Sequence, residues 1–458
     1  MIAGGFVWLA ALVFLPLAGA IPISHPAFGR FTAIGRVTIA GGVGGVLIAT
    51  AMTLCALLGW RWTFSSVGAT AAALGILARL SVPRRDRSPL TPALSRGERE
   101  QTPLTATFSR RERGIAVASR VVIGCAIAAA FVSAASSAAT SADLVLLWGP
   151  KAQQFAAART IDAGYLGKPA LEYMNTAYPP LVTNLYALGS MLAGRFSWGG
   201  AMLTFPILLL AIAAALPSAL ELRRLPRVSL PWCALVVAVV ASAGAKLLVA
   251  GNADVALLFF EVTSLALLLG PARRDPALQF LAGLLFAGAA TSKVEGLPFT
   301  LAAGALFVAA NRRDTRMLPA AIRLWTPPAF SLGLWFFYGA ERRVFTGYRG
   351  FGPVFQIFWD RLGSVLVAIG NALAEVHHAL PFVLPVVVFL LLAPKTPPGW
   401  VPAAVGTVLA LFLLFNYLHG PDPTEWIGWS AGRVLLPLPL FLTLSSASRI
   451  LAEEGEIP

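Results

Sequence analysis

The chain has 458 residues, of which 57% are hydrophobic and 12% are charged, whereas about 25% of the residues in an ordinary soluble domain are charged. This composition, with a mean hydropathy of +0.75, excludes a soluble enzyme and indicates a polytopic helical membrane protein. The formal net charge is +14. In a membrane protein such an excess is typical of basic cytoplasmic loops, so we predict membrane lipids and no nucleic acid as partners.

Apolar runs recur along the chain, and each is long enough to cross a hydrocarbon core of about 30 Å. They predict an all-α fold with about thirteen transmembrane helices. The first run has no basic residues ahead of it, so we expect a span there rather than a cleaved signal peptide. Cys55, Cys125 and Cys233 lie inside such runs and are predicted to be core residues. The predicted spans are 3–21, 37–59, 64–81, 120–140, 199–220, 232–250, 253–270, 277–292, 297–311, 322–339, 379–394, 400–418 and 434–450.

Basic segments fall at alternate connections between these spans, and the positive-inside rule places them in the cytoplasm. They are 84–120, 221–227, 272–275, 311–316 and Lys395. The N-terminus is then outside. Three further arginines, Arg342, Arg343 and Arg349, fall on the outer side, where an anionic ligand would explain them. The connections predicted to face the periplasm are 141–198, 251–254, 293–296, 340–378 and 419–433.

The chain divides into four parts by composition. A three-helix membrane segment, 1–82, precedes an Arg-rich cytoplasmic loop, 83–119, in which PLTPALSRGERE at 89–100 is echoed by PLTATFSRRERG at 103–114. We predict that this loop is a disordered spacer, with binding of nucleic acid or anionic lipid as the alternative. The membrane core is 120–450, and a cytoplasmic tail, 451–458, follows it.

The periplasmic loop 141–198 is predicted to hold two short amphipathic helices, near 143–161 and 181–192. Both are expected to lie along the membrane surface as juxtamembrane helices. Making the second one a span would place every later basic loop outside, so we keep it on the surface.

Ionisable side chains gather at the predicted outer ends of the helices. Asp143 follows the fourth span, Asp254 opens the seventh, Lys293 and Glu295 link the eighth and ninth, and Arg433 opens the thirteenth. An ionised group at the centre of a membrane helix costs about 2.5 to 3.5 kcal/mol, so charged side chains are expected at helix ends. Because these five residues all fall at outer ends, we predict that they line one outward-facing cavity. The alternative for each is an interfacial residue whose charged tip reaches water.

One carboxyl lies deeper than this group. Glu261 is seven residues after Asp254 and on the same helix face. One interpretation is a protonated, hydrogen-bonded carboxyl inside the helix bundle.

Five motifs follow one another in the core. They are Asp143-x4-Trp148-x2-Lys151, Tyr178-Pro-Pro-Leu181, Gly251-Asn-Ala-Asp254, Thr291-Ser-Lys-Val-Glu-Gly296 and Trp426-x2-Trp-Ser-x2-Arg433. In this order they resemble the motifs of bacterial GT-C fold glycosyltransferases, and they are similar to those of protein O-mannosyltransferases and lipid A aminoarabinose transferases. The resemblance implies a protein of the bacterial cytoplasmic (inner) membrane. One departure is Ala431, where the closest relatives would have an Asp beside the Arg, and this leaves Arg433 freer for a ligand.

The resemblance implies transfer of a sugar, with inversion, from a polyprenyl-phosphate donor to a lipid, glycan or protein acceptor at the periplasmic face. Asp143 is then the candidate catalytic base, since it can take the acceptor's proton. Cationic side chains would hold the phosphate as its charge develops. The candidate substrate-binding residues are Trp148, Lys151, Tyr178, Asp254, Lys293, Glu295, Arg342, Arg343 and Arg433.

No cofactor is required by this chemistry, although a divalent metal is left open. The ligands considered for it are Glu375, His377, His378 and His419. Two other functions remain. The first is a transporter or flippase of lipid-linked sugars, and the second is a non-catalytic scaffold subunit of an envelope assembly.

The predicted orientation can be tested by labelling with a membrane-impermeant maleimide. In a variant without its own three cysteines, we expect Lys168→Cys to be labelled in cells with a permeabilised outer membrane, because the positive-inside rule places 141–198 outside. Gly97→Cys should be labelled only after the inner membrane is opened. The reverse pattern would invert the topology.

Overall fold

A computed structural model describes residues 8–29, 31–83, 110–136, 141, 143–168, 170–171, 176–220, 226–243, 250–270, 275–313, 317–344, 354–419 and 423–453. Throughout these ranges the secondary structure is helical and contains no strand. The predicted all-α class is therefore confirmed.

The helices are numbered in chain order. They are α1 (Phe14–Ile23), α2 (Ala33–Leu57), α3 (Phe64–Ser81), α4 (Arg110–Ser136), α5 (Gly149–Ala158), α6 (Ala163–Leu166), α7 (Leu181–Ala193), α8 (Trp198–Ala219), α9 (Pro226–Ala243), α10 (Ala253–Leu269), α11 (Pro276–Ser292), α12 (Gly296–Ala310), α13 (Met317–Arg342), α14 (Val354–Ala374), α15 (Val376–Leu391), α16 (Pro397–His419), α17 (Pro423–Val434) and α18 (Pro437–Glu453). A π-helical turn, Leu144–Trp148, leads into α5.

Within the described residues, six helical segments are long and apolar enough to cross a membrane, and a bent pair of helices would make a seventh. The chain is thus a helical protein of multi-pass membrane character, but thirteen spans are not confirmed. Several predicted spans form shorter helices: α11 has 17 residues, a rise of about 26 Å against the roughly 30 Å of a hydrocarbon core. The six segments are Ala33–Leu57, Phe64–Ser81, Arg113–Ser136, Trp198–Ala219, Pro397–His419 and Ser430–Arg449.

The centre of the bundle is α10. Every one of its 17 residues is buried, and it packs against α8, α11, α12 and α18. Its sequence is apolar on all faces apart from Asp254, Glu261 and two hydroxyl residues, Thr263 and Ser264, as expected for a helix enclosed by other helices. The two carboxyls therefore enter the core with this helix.

The helix ends that the sequence places on one side of the membrane also meet in the structure. Hydrogen bonds at this end join the α2–α3 turn, the α5–α6 connection and the end of α13. At the opposite end one bond joins the start of α2 to the end of α8, and another joins the start of α13 to the start of α11. The directions of these four helices agree with the predicted ones, and which end faces the periplasm stays a prediction. The bonds are Trp62 N to Arg159 O (2.6 Å), Tyr338 Oη to Ile161 O (2.6 Å) and Trp335 Nε1 to Ala177 O (3.0 Å) at the first end, and Thr32 Oγ1 with Ser218 Oγ (2.7 Å) and Arg323 Nη1 to Gln279 Oε1 (2.8 Å) at the second.

The prediction that the helix near 181–192 lies on the surface is wrong. The helix exists as α7, but it packs against α2 and α5, and most of its residues are buried. Asn184 donates to the carbonyl oxygen of Ala49 at 3.1 Å and to Oγ1 of Thr53 at 3.2 Å. The polar side chain of Asn184 thus has hydrogen-bond partners inside the bundle. An amphipathic sequence pattern does not show whether polar residues face such partners or water.

Three further differences concern segment boundaries and one cysteine. Helix α4 begins at Arg110, inside the predicted 83–119 loop, while 84–109 lies outside the described residues. The predicted connection 340–378 contains a helix, α14. Cys125 is exposed on α4, whereas Cys55 and Cys233 are buried as expected.

The close crossing of α1 and α2 depends on glycine, and this gives a stability prediction. A Cβ atom at Gly44 would overlap the carbonyl oxygen of Leu15, whereas a Cβ at Gly41 meets nothing within 4 Å. We expect Gly44→Ala to lower the free energy of unfolding by about 1–3 kcal/mol through overpacking. Gly41→Ala, the matched control, should be neutral or slightly stabilising because alanine favours a helix. Thermal unfolding in detergent checks both, and equal effects would contradict the crossing.

Candidate functional site

The charged side chains at the predicted outer ends form one ion-paired group. Nη1 of Arg433, in the last turn of α17, lies 2.7 Å from Oδ2 of Asp143 and 2.6 Å from Oδ2 of Asp254. Asp143 immediately precedes the π-helical turn, and Asp254 is in the first turn of α10. One arginine thus connects three distant parts of the chain.

Asp254 also binds the second cation of the group. Its Oδ1 accepts a hydrogen bond from Nζ of Lys293 at 2.8 Å, and the same ammonium lies 3.2 Å from Oε1 of Glu295. Lys293 ends α11 in an extended conformation, and Glu295 precedes the first residue of α12, so the turn between these helices aims both side chains at α10. We call Asp143, Asp254, Lys293, Glu295 and Arg433 the charged network.

The expectation that Arg433 is freer for a ligand is wrong. Ala431 gives it no acidic neighbour in α17, but two carboxylates from other segments take that place. Both ion pairs use the same nitrogen, and within the described residues Nε and Nη2 make no hydrogen bond. Arg433 therefore keeps N–H groups for a second acceptor.

An aromatic pair with a buried lysine lies next to the network. The rings of Trp148 and Tyr178 stack with centroids 5.6 Å apart and an interplanar angle of 15°. Nζ of Lys151 is 4.9 Å from the Trp148 centroid and 5.9 Å from that of Tyr178. We call these three residues the aromatic pocket. All of them were predicted from sequence as site residues, and the fold brings them together.

Burial changes the acidity of this pocket. Lys151 is only 3% exposed, and desolvation lowers its pKa to about 7, with the nearby Asp143 carboxylate opposing the shift. Burial also raises the pKa of Tyr178 above its ordinary value, and the carboxylate of Glu295 adds to that increase. Because charges of the network act on both groups, the pocket and the network form one electrostatic unit.

A narrow cleft beside the network runs into the bundle. Every member of the network except Asp143 lines it, together with Leu257, Leu409 and Leu413, and so does Glu261. Its volume is about 20 Å³, room for about one water molecule. Glu261 is fully buried, and neither of its oxygens has a hydrogen-bond partner among the described residues. The interpretation of Glu261 as a hydrogen-bonded carboxyl therefore stays a prediction.

A much larger apolar cavity lies on the opposite face of α10. Its volume is about 550 Å³. Asn252, Ala256, Phe259 and Phe260 face it, whereas Asp254, Leu257, Leu258 and Glu261 face the narrow cleft, and the two sets lie about half a turn apart at 100° per residue. The cavity has polar groups at the end near Asn252, where Oη of Tyr186 donates to the carbonyl oxygen of Gly251 at 2.9 Å.

Two predicted site residues lie elsewhere. Arg342 ends α13 and Arg343 follows it. Both are exposed, and neither contacts the charged network, while Arg349 lies outside the described residues. Arg342 instead lines a separate cavity of about 350 Å³. Sequence reasoning missed Arg61 and Trp60, which share this cavity, although Gly59-Trp-Arg-Trp62 between two predicted spans was a signal for a polar outer turn.

The metal hypothesis finds no geometric support in the part of the chain that the structure describes. There, no three His, Cys, Asp or Glu side chains come close enough to share an ion. Nδ1 of His419 lies 2.7 Å from the carbonyl oxygen of Phe415 in its own helix. Glu375 precedes α15, and the side chains of His377 and His378 lie outside the described residues.

Comparison with known proteins adds nothing to these observations, since no protein-family model, no curated protein and no solved structure matches the chain. The geometry of the charged network, the aromatic pocket and the two cavities therefore carries the functional argument alone.

The buried Lys151 gives a prediction about pH. Its pKa falls from 10.5 to about 7 on folding, so between these values the unfolded chain binds one more proton and rising pH favours the folded state. Lys151→Met removes this term. We expect the variant's advantage in melting temperature over the wild type to be largest at pH 6 and to shrink towards pH 10. Lys168→Met, at an exposed lysine near the Tyr165 ring, should show no such trend. A pH-independent difference for Lys151→Met would contradict the shift.

Proposed function

We propose that the chain is a membrane glycosyltransferase that moves a sugar, with inversion, from a polyprenyl-phosphate donor to an envelope lipid, glycan or protein at the periplasmic face. The observation that carries this proposal is the contact of Arg433 with both Asp143 and Asp254. Through this contact the candidate base, Asp143, lies beside one candidate phosphate-binding cation, Arg433. Asp254 links Arg433 to the other candidate cation, Lys293. The aromatic pocket adjoins them.

Asp143 fits the role of base better than Asp254. Only Oδ2 of Asp143 is ion-paired, no described residue bonds Oδ1, and its side chain is 19% exposed. Both oxygens of Asp254 are occupied by cations, and its side chain is 7% exposed. A base must reach the acceptor hydroxyl and accept its proton, so we assign proton transfer to Asp143. Asp254 then fixes the positions of Arg433 and Lys293.

The two cations suit a leaving phosphate. In the proposed reaction the acceptor oxygen attacks the anomeric carbon from the face opposite the phosphate, the bond to the phosphate oxygen breaks, and the acceptor's proton passes to Asp143. Negative charge grows on the phosphate as this bond breaks. The remaining N–H groups of Arg433 and the third ammonium proton of Lys293 are donors for it. The narrow cleft has to widen to admit the donor.

The surroundings support a lipid-borne sugar. Nε1 of Trp148 is buried without a hydrogen-bond partner in the described part of the chain, so it can donate to a sugar hydroxyl. The apolar cavity has the lining expected for a hydrocarbon chain, with its polar end near Asn252, two residues before Asp254. These two features are compatible with a sugar bound at the charged network and its hydrocarbon chain in the membrane interior.

A transporter or flippase of lipid-linked sugars is the second candidate, and Glu261 favours it. A carboxyl inside a membrane helix, without a hydrogen-bond partner among the described residues, is typical of proton relays in transport proteins. That function needs net movement of the lipid-linked sugar across the bilayer and no change of its glycosidic bond. The two candidates therefore differ in a measurable product.

We expect Asp143→Asn to reduce sugar transfer by roughly 10² to 10⁴, because the amide keeps the size of the side chain but cannot accept the proton. The assay is single-turnover transfer of radiolabel from a panel of polyprenyl-phosphate sugars by purified protein. Asp162→Asn is the matched control, an aspartate outside the charged network, and should retain activity. The folded state of Asp143→Asn should persist, since Asp254 still pairs with Arg433.

Removing the arginine should have a different effect. Arg433→Gln leaves Asp143 and Asp254 without their shared cation, and breaking a buried pair costs about 3–5 kcal/mol. We expect loss of thermal stability as well as of transfer, seen as a lower melting temperature in the same detergent.

Full activity of Asp143→Asn would remove Asp143 from the mechanism. Translocation of the donor without transfer by the wild type would favour the flippase.

A further inference from the structure

The cavity that contains Arg342 is a separate feature of the same end of the bundle. Its walls come from the α2–α3 turn, the α5–α6 connection and the end of α13, and it shares no lining residue with the charged network. Its volume is about 350 Å³. The polar and aromatic groups that line it are Trp60, Arg61, Thr160, Asp162, Tyr338 and Arg342. We call it the arginine cavity.

The arginine cavity carries an excess of positive charge. Neither Arg61 nor Arg342 makes a side-chain hydrogen bond or ion pair with any residue that the structure describes. Asp162 is the one carboxylate in the lining, and its oxygens are already used by Nε2 of Gln154 at 2.6 Å and by the backbone N–H of Tyr165 at 2.9 Å. The guanidinium groups are therefore available to a ligand, while the opposing carboxylate is partly neutralised by its own donors.

The cavity is built by packed elements. The backbone N–H of Trp62 donates to the carbonyl oxygen of Arg159, and the indole of Trp62 is buried against the ring of Phe155. Oη of Tyr338, one turn before Arg342, donates to the carbonyl oxygen of Ile161. These contacts hold the turn that carries Arg61 and the helix end that carries Arg342 in the lining of one cavity.

We propose that the arginine cavity binds a phosphate group, carried either by a lipid headgroup or by a free phosphorylated compound. Guanidinium groups match phosphate oxygens with paired N–H donors, and two of them from separate elements define a site for one phosphate. Trp60 is 53% exposed at the rim, and a half-exposed indole suits the boundary between lipid and water. The site is independent of the glycosyltransferase proposal, since none of its residues takes part in that reaction.

The test measures binding to the full-length protein in a neutral detergent. Native mass spectrometry follows saturable binding of phosphatidylglycerol, and calorimetry follows binding of glycerol 3-phosphate, which has the phosphate without acyl chains. In the double variant Arg61→Gln/Arg342→Gln we expect affinity to fall at least tenfold, because each charge-assisted hydrogen bond contributes a factor of about 10 or more. Arg195→Gln, at an exposed arginine outside the cavity, should bind as the wild type does.

The two ligands separate the two sources of phosphate. Binding of phosphatidylglycerol alone assigns the site to a lipid headgroup, and binding of both assigns it to the phosphate itself. Equal binding by wild type and double variant, or no binding of either ligand by the wild type, overturns the proposal. If the double variant does not fold, the single variants Arg61→Gln and Arg342→Gln replace it, and unchanged affinity in both would overturn the proposal equally.

Discussion

The pairing of Asp254 with two cations is the interaction on which the rest of the site depends. The carboxylate lies in the first turn of α10, a helix that is buried along its whole length, and an uncompensated charge there would cost several kcal/mol. Arg433 and Lys293 both reach it at 2.6–2.8 Å. Since these cations come from α17 and the end of α11, the ion pairs also fix where those elements end around α10. The same ion pairs therefore position these helix ends and neutralise the charge of Asp254.

The same balance limits what the site can admit. Three carboxylates of the network face two cations, and the cleft beside them has a volume of about 20 Å³. An anionic substrate has to exchange one ion pair for its own contacts, so its net binding free energy is the difference between two strong interactions. For a transferase this favours weak ground-state binding. The contacts would strengthen when charge develops on the leaving group, which is where an enzyme gains rate.

The sequence predicted which residues form the site better than it predicted which of them contact one another. Asp143, Asp254, Lys293, Glu295 and Arg433 were grouped correctly because alternating helices bring every second connection to the same end. The two partners of Arg433 were missed, since they lie 290 and 179 residues away in sequence and nothing local encodes such contacts. The burial of α7 was missed for a related reason, because an apolar face fits a neighbouring helix and a membrane surface equally well. Arg342 belongs to the correct end of the bundle but to another cavity.

Helix α10 also separates two cavities. It has the apolar cavity on one face and the narrow cleft on the other, and both sets of lining residues are within its first three turns. A molecule that displaces Phe259 or Ala256 by even about 1 Å would move Asp254 through the rigid helix and lengthen its contacts with Arg433 and Lys293. Occupancy of the two spaces is then thermodynamically linked, and the linkage is reciprocal: whatever the first ligand does to the affinity of the second, the second does to the first.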